Sequence, residues 1–65
     1  MSMAYIRSHY NVPAKLGGRV KYSGGSDKKE REGTIVWRRG ASLVIRLDGA
    51  SHTITVHPTW KLEYL

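Results

Sequence analysis

The side chains of this 65-residue chain that could do chemistry are three histidines, two tryptophans and a surplus of cations. Eleven Lys and Arg stand against five Asp and Glu, for a formal charge of +6 and a pI of about 10.1. His9, His52 and His57 are held at no local spacing that would build a metal site, and there is no cysteine to complete one. The serines fall in turns, Asp48 belongs to an Asp48-Gly49 turn, and the loop acids have no neighbouring His, so no nucleophile has a local base. The expectation is a non-enzymatic protein with no metal and no cofactor, whose partner is acidic.

The cations fall on alternate positions of apolar segments. If Val20, Tyr22, Ile35, Trp37, Leu43, Ile45, Leu47, Ile54 and Val56 point inward, the opposite face carries Arg19, Lys21, Arg38 and Arg46, with Arg39 in the adjoining turn. Such a stripe can follow a phosphate backbone; the alternative is a merely solvated face. Between Tyr22 and Gly33, the run Ser23 to Glu32 reads as an exposed, mobile loop. Its cations Lys28, Lys29 and Arg31 are balanced by Asp27, Glu30 and Glu32, so it is a solubilising loop or the edge of a recognition site. Trp37 shares a face with Ile35, and Trp60 follows Pro58 in a turn; core packing is their expected role, base stacking the alternative.

The elements that must position these residues are strands. A period of two runs through Arg19-Val20-Lys21-Tyr22, Thr34-Ile35-Val36-Trp37-Arg38, the Leu43 to Leu47 segment, Thr53-Ile54-Thr55-Val56 and Lys61-Leu62-Glu63-Tyr64-Leu65. Arg39-Gly40-Ala41-Ser42 and Asp48-Gly49 read as tight hairpin turns, and His57-Pro58-Thr59-Trp60 suits one 3₁₀ turn before the last strand. Residues 1–16 read as an irregular N-terminal arm, coil with at most a short strand, in which Tyr5 and Tyr10 are either exposed or a lid. Residues 17–65 form the domain. One core is all that this length can fill, and without disulfides or zinc, packing alone must hold it. No apolar run reaches the ~18 residues of a membrane span, and the start lacks the apolar region of a signal peptide, so no membrane partner and a cytoplasmic location are expected.

The fold class this order implies is all-β, a small five-stranded SH3-like barrel with a 3₁₀ turn before the last strand. Leu16-Gly17-Gly18-Arg19-Val20-Lys21-Tyr22-Ser23-Gly24 followed by Gly33-Thr34-Ile35-Val36 resembles a KOW-type module, with a longer charged loop. That resemblance implies RNA or protein binding of the kind found in ribosomal and transcription-elongation proteins. Gly18-Arg19-Val20-Lys21, Gly33-Thr34-Ile35-Val36, Val56-His57-Pro58 and Leu62-Glu63 also resemble the plasmid-encoded type II dihydrofolate reductases, tetrameric SH3-like barrels. That family's Gln-Ile-Tyr pore triplet is replaced here by Thr55-Val56-His57, and its pore lysine falls near Tyr22, so the resemblance implies the barrel and not the reductase.

Three functions stay open on the sequence. The first is a basic module gripping RNA or DNA phosphates through Arg19, Lys21, Arg38, Arg39 and Arg46. The second is a protein-interaction module, such as a small accessory or inhibitory factor of a phage or mobile element, gripping an acidic protein surface through the Ser23 to Glu32 loop and the arm. The third is a homo-oligomeric barrel.

Overall fold

Alternating apolar residues drive five short strands to pair, since each can bury one face only against its neighbours. The computed structural model describes residues 3–25 and 28–65. It contains a helix, α1 (Met3–Tyr10), and strands β1 (Arg19–Tyr22), β2 (Arg31–Arg39), β3 (Ser42–Leu47), β4 (Ile54–Val56) and β5 (Leu62–Tyr64). All pairings are antiparallel, in a single sheet of order β4-β3-β2-β1-β5 that is not closed, with β4 and β5 at its edges. The chain is therefore all-β apart from one short helix. No helix among the described residues is long and apolar enough to cross a membrane.

The inner face of the sheet carries Val20, Ile35, Leu43, Ile45 and Val56, which form the core with Ile6 and Ala14 from the N-terminal segment. Each of the Val, Leu and Ile side chains contributes roughly 1.5–3 kcal/mol when fully buried. Tyr22, Leu47 and Ile54 are half-buried beside it. No polar or charged residue is buried among the described residues.

The N-terminal segment departs from the expected coil. Met3, Ile6 and Tyr10 recur at helical spacing and face the core, Ile6 completely buried. Asn11 stops the helix in the left-handed conformation (φ 54°), and the Val12 amide donates back to the Arg7 carbonyl at 3.2 Å, the six-to-one bond of a Schellman cap. Arg7 Nη1 then donates to the Ala14 carbonyl at 2.7 Å and ties the following turn to the helix.

Two further expectations are corrected, and the turn expected before the last strand is present. Arg31 and Glu32 belong to β2 and not to the preceding loop, because they pair with Tyr22 and Lys21. Asp48-Gly49 forms a turn, closed by the Ala50 amide on the Leu47 carbonyl at 3.0 Å, but it only begins the connection to β4, which runs to residue 53. The expected 3₁₀ turn is a single hydrogen bond from the Trp60 amide to the His57 carbonyl at 3.3 Å, with Pro58 buried beneath it. By contrast Arg39 and Ser42 close a two-residue connection whose first residue, Gly40, takes φ +59°, as a tight hairpin requires.

Candidate functional site

A one-residue irregularity in β2 decides which side chains face solvent together. Ile35 pairs with Ile45, but the next pair is Trp37 with Val44, so β2 advances two residues while β3 advances one. Val36 is the extra residue of a β-bulge, and an extra residue transfers everything beyond it to the other face. Strict alternation would put Trp37 inward and Arg38 outward. Instead Trp37 lies on the outer face with Val44 and is 59% exposed, whereas Arg38 pairs with Leu43 on the inner side and is half-buried.

Counting from the bulge, the outer face of the β2–β3 hairpin holds Trp37 and Arg39 on β2 and Val44 and Arg46 on β3. Exposed Val36 sits beside them, and an open groove runs past Thr34, Val36 and Arg46 to the Asp48-Gly49 turn. Neither Arg39 nor Arg46 makes an ion pair or side-chain hydrogen bond among the described residues. An indole plane with two unengaged guanidinium groups can stack on a planar ring and hold an anion.

The other expected contacts are placed differently. Arg19 is clamped by Asp48, Nη2 donating to Oδ2 at 2.6 Å and Nη1 to Oδ1 at 2.9 Å, with further bonds to Thr34 Oγ1 at 2.8 Å and Glu32 Oε1 at 3.4 Å. Hydrogen bonding to Asp48 pushes the Arg19 pKa further up, and the same bond from Arg19 holds the Asp48 carboxyl below its ordinary value. This two-pronged contact fastens β1 to the β3–β4 connection and neutralises the charge that Arg19 would offer a phosphate. Lys21 is in register with Glu32 on one side and Glu63 on the other. Lys28, Lys29 and Arg31 are exposed, but Arg31 stands in β2 next to Tyr22, and Asp27 lies outside the described residues. Of the five expected contacts only Arg38 is carried to the other side; Arg19 and Lys21 keep the outer face but stand against carboxylates, which leaves Arg39 and Arg46 beside a tryptophan that the alternation rule assigns to the core.

Trp60 is also not a core residue: it is 54% exposed. The positions that replace the reductase triplet are an exposed Thr55, a buried Val56 and an exposed His57. His57 Nδ1 accepts from the Thr59 amide at 3.1 Å, and its ring meets Tyr10 edge to face at 5.1 Å. His9 stacks on Tyr5 and meets Tyr10 edge-on, both within α1, so it is the Tyr10–His57 contact that seats the helix against the β4–β5 connection. Among the described residues no three His, Cys, Asp or Glu are grouped to hold a metal ion. Comparison of the chain with family models, with curated proteins and with solved structures found no match.

Proposed function

We propose that this chain is a small, non-enzymatic β-barrel module of SH3-like connectivity that binds single-stranded RNA or DNA. Trp37 stacks on a base while Arg39 and Arg46 contact phosphates. The order β4-β3-β2-β1-β5, with the longest strand-to-strand connection between β1 and β2 and a turn before β5, supports the barrel assignment. The observation that carries the functional reading is the Val36 bulge, which turns a large indole outward onto the face of two unpaired arginines. Base stacking on aromatics tolerates any sequence, and arginine suits phosphate oxygens, so the module has little base specificity.

Fluorescence anisotropy of labelled single-stranded RNA and DNA oligomers tests this. Two phosphate contacts reduce affinity about tenfold between about 50 and 200 mM salt, given a slope of roughly −0.7 per phosphate or slightly steeper. Saturable binding with that loss supports the reading. No binding at the lower salt overturns it.

A further inference from the structure

A second aromatic surface lies at the other end of β2, where Arg31 pairs with Tyr22. There a groove of about 300 Å³ is lined by Ser23, Gly24, Gly25, Lys28, Trp60 and Lys61, at the lower end of the range that takes small ligands. Its wall is the exposed Trp60 indole, with the Lys61 ammonium 6.0 Å from the ring centroid. Gly24 packs so closely that a methyl group there would come within 2.5 Å of the Tyr22 hydroxyl and 2.6 Å of Trp60 Cζ3. The Gly24 backbone therefore lies directly against both the Tyr22 phenol and the edge of the Trp60 indole.

Two backbone features point the same way. Lys28 (φ 57°) and Lys61 (φ 56°) both occupy the left-handed region, which side-chain-bearing residues other than Asn and Asp seldom adopt. Both lysines line this groove, and strain of this kind collects at ligand-binding positions. The Ser23 amide donates to the Lys61 carbonyl at 3.0 Å and the Lys28 amide to the Gly25 carbonyl at 3.0 Å. No carboxylate is among the described residues that line the groove. A planar ring on Trp60 with an anionic group between two ammonium ions has the chemistry of a nucleotide.

We propose that the Trp60 groove binds a single nucleotide, its base against the indole and its phosphate between Lys28 and Lys61. This site is separate from the Trp37 face and does not depend on it. The nucleotide is either free or the phosphorylated end of an oligomer, and the two sources are distinguished by the ligands used.

The experiment is a fluorescence titration of the Trp37→Phe protein, in which Trp60 is the sole indole, with adenosine 5′-monophosphate, adenosine, inorganic phosphate, and a short oligonucleotide with and without a 5′-phosphate. The expected result is a saturable change with the monophosphate that adenosine and phosphate alone reproduce at least about tenfold more weakly. If the oligonucleotide binds only with its 5′-phosphate, a strand end is the natural source; if only the mononucleotide binds, a free nucleotide is. Lys28→Gln with Lys61→Gln should weaken the monophosphate at unchanged thermal midpoint, and Trp60→Ala, followed by dialysis or calorimetry, should lose it. No saturable response to either nucleotide form, or equal binding by the Trp60→Ala protein, overturns the proposal. Because Trp60 is the sole indole reporting in this titration, failure here leaves the strand-binding reading to its own test.

Discussion

Among the described glycines, Gly33 is the one where an added methyl group would press hardest on a neighbouring backbone, and replacing it with alanine measures how tightly β2 and β3 are bound. The residue is buried and pairs with Val20 on one side and Leu47 on the other. A methyl group there would sit 2.7 Å from the Arg46 carbonyl oxygen and 3.1 Å from the Leu47 Cα. Both are backbone atoms, so no side chain can swing aside, and β3 must retreat about 0.7 Å to reach the 3.4 Å of ordinary contact. Overpacking of this kind costs roughly 1–3 kcal/mol. In a domain this small, about 2 kcal/mol lowers the thermal midpoint by roughly 8–16 °C. Thermal unfolding followed by circular dichroism reads the shift directly. A midpoint within about 2 °C of the parent, well inside the 4–8 °C expected per kcal/mol, would show that the ladder is looser than its geometry and would refute the argument.

The remaining predictions concern charge and caps. Burial pushes the Tyr64 phenol from 10.0 up to about 12, and its hydroxyl donates to the Pro58 carbonyl at 2.8 Å. Between those values the unfolded chain ionises first, so stability should fall as pH rises from 10 to 12, by about 1 kcal/mol once solvent screening of a partly exposed group is allowed for. Urea midpoints should show that slope in the parent and a shallower one in Tyr64→Phe. Asp48→Asn releases Arg19, so oligonucleotide binding should tighten at low salt and its salt dependence should steepen by about one phosphate contact; weaker binding would contradict this. Since the Arg19 hydrogen bond holds the Asp48 carboxyl below its ordinary value, the stability it lends is present above that ordinary value and lost as pH falls through the lowered one. The parent's advantage over Asp48→Asn in urea midpoint should therefore vanish in acid. Asn11→Val should destabilise by roughly 1–2 kcal/mol because a β-branched residue resists φ 54°, measured by denaturant unfolding.

The strands are readable from the sequence because their signal is local. Val20 and Val56 sit between polar neighbours, Ile35, Leu43 and Ile45 fall on the expected alternate positions, and all five are buried. The helix has a local signal too, in the Met3, Ile6 and Tyr10 spacing and in Asn11 followed by Pro13, but its segment is too short and too polar for periodicity to outweigh the coil reading. The bulge is different. Nothing within Thr34 to Arg38 announces an extra residue; it exists only relative to β3, through Ile35 against Ile45 and Trp37 against Val44. A pattern count that runs on through Val36 therefore assigns Trp37 and Arg38 to each other's sides. The Arg19–Asp48 clamp is equally invisible along the chain, because its partners are 29 residues apart and meet only once β1, β2 and β3 are laid side by side.

The central claim, that the Val36 bulge makes the face of Trp37, Arg39 and Arg46 the strand-binding surface, is tested most directly by comparing variants on opposite faces of the same hairpin. Oligonucleotide anisotropy at low salt should show Trp37→Ala weakening binding by roughly 5- to 150-fold, the range for loss of one stacked base, and the Arg39→Glu, Arg46→Glu double variant abolishing it. Arg38→Ala should bind as the parent does. If Arg38→Ala is the damaging change and Trp37→Ala is silent, the bulge does not set the binding face and the account is wrong.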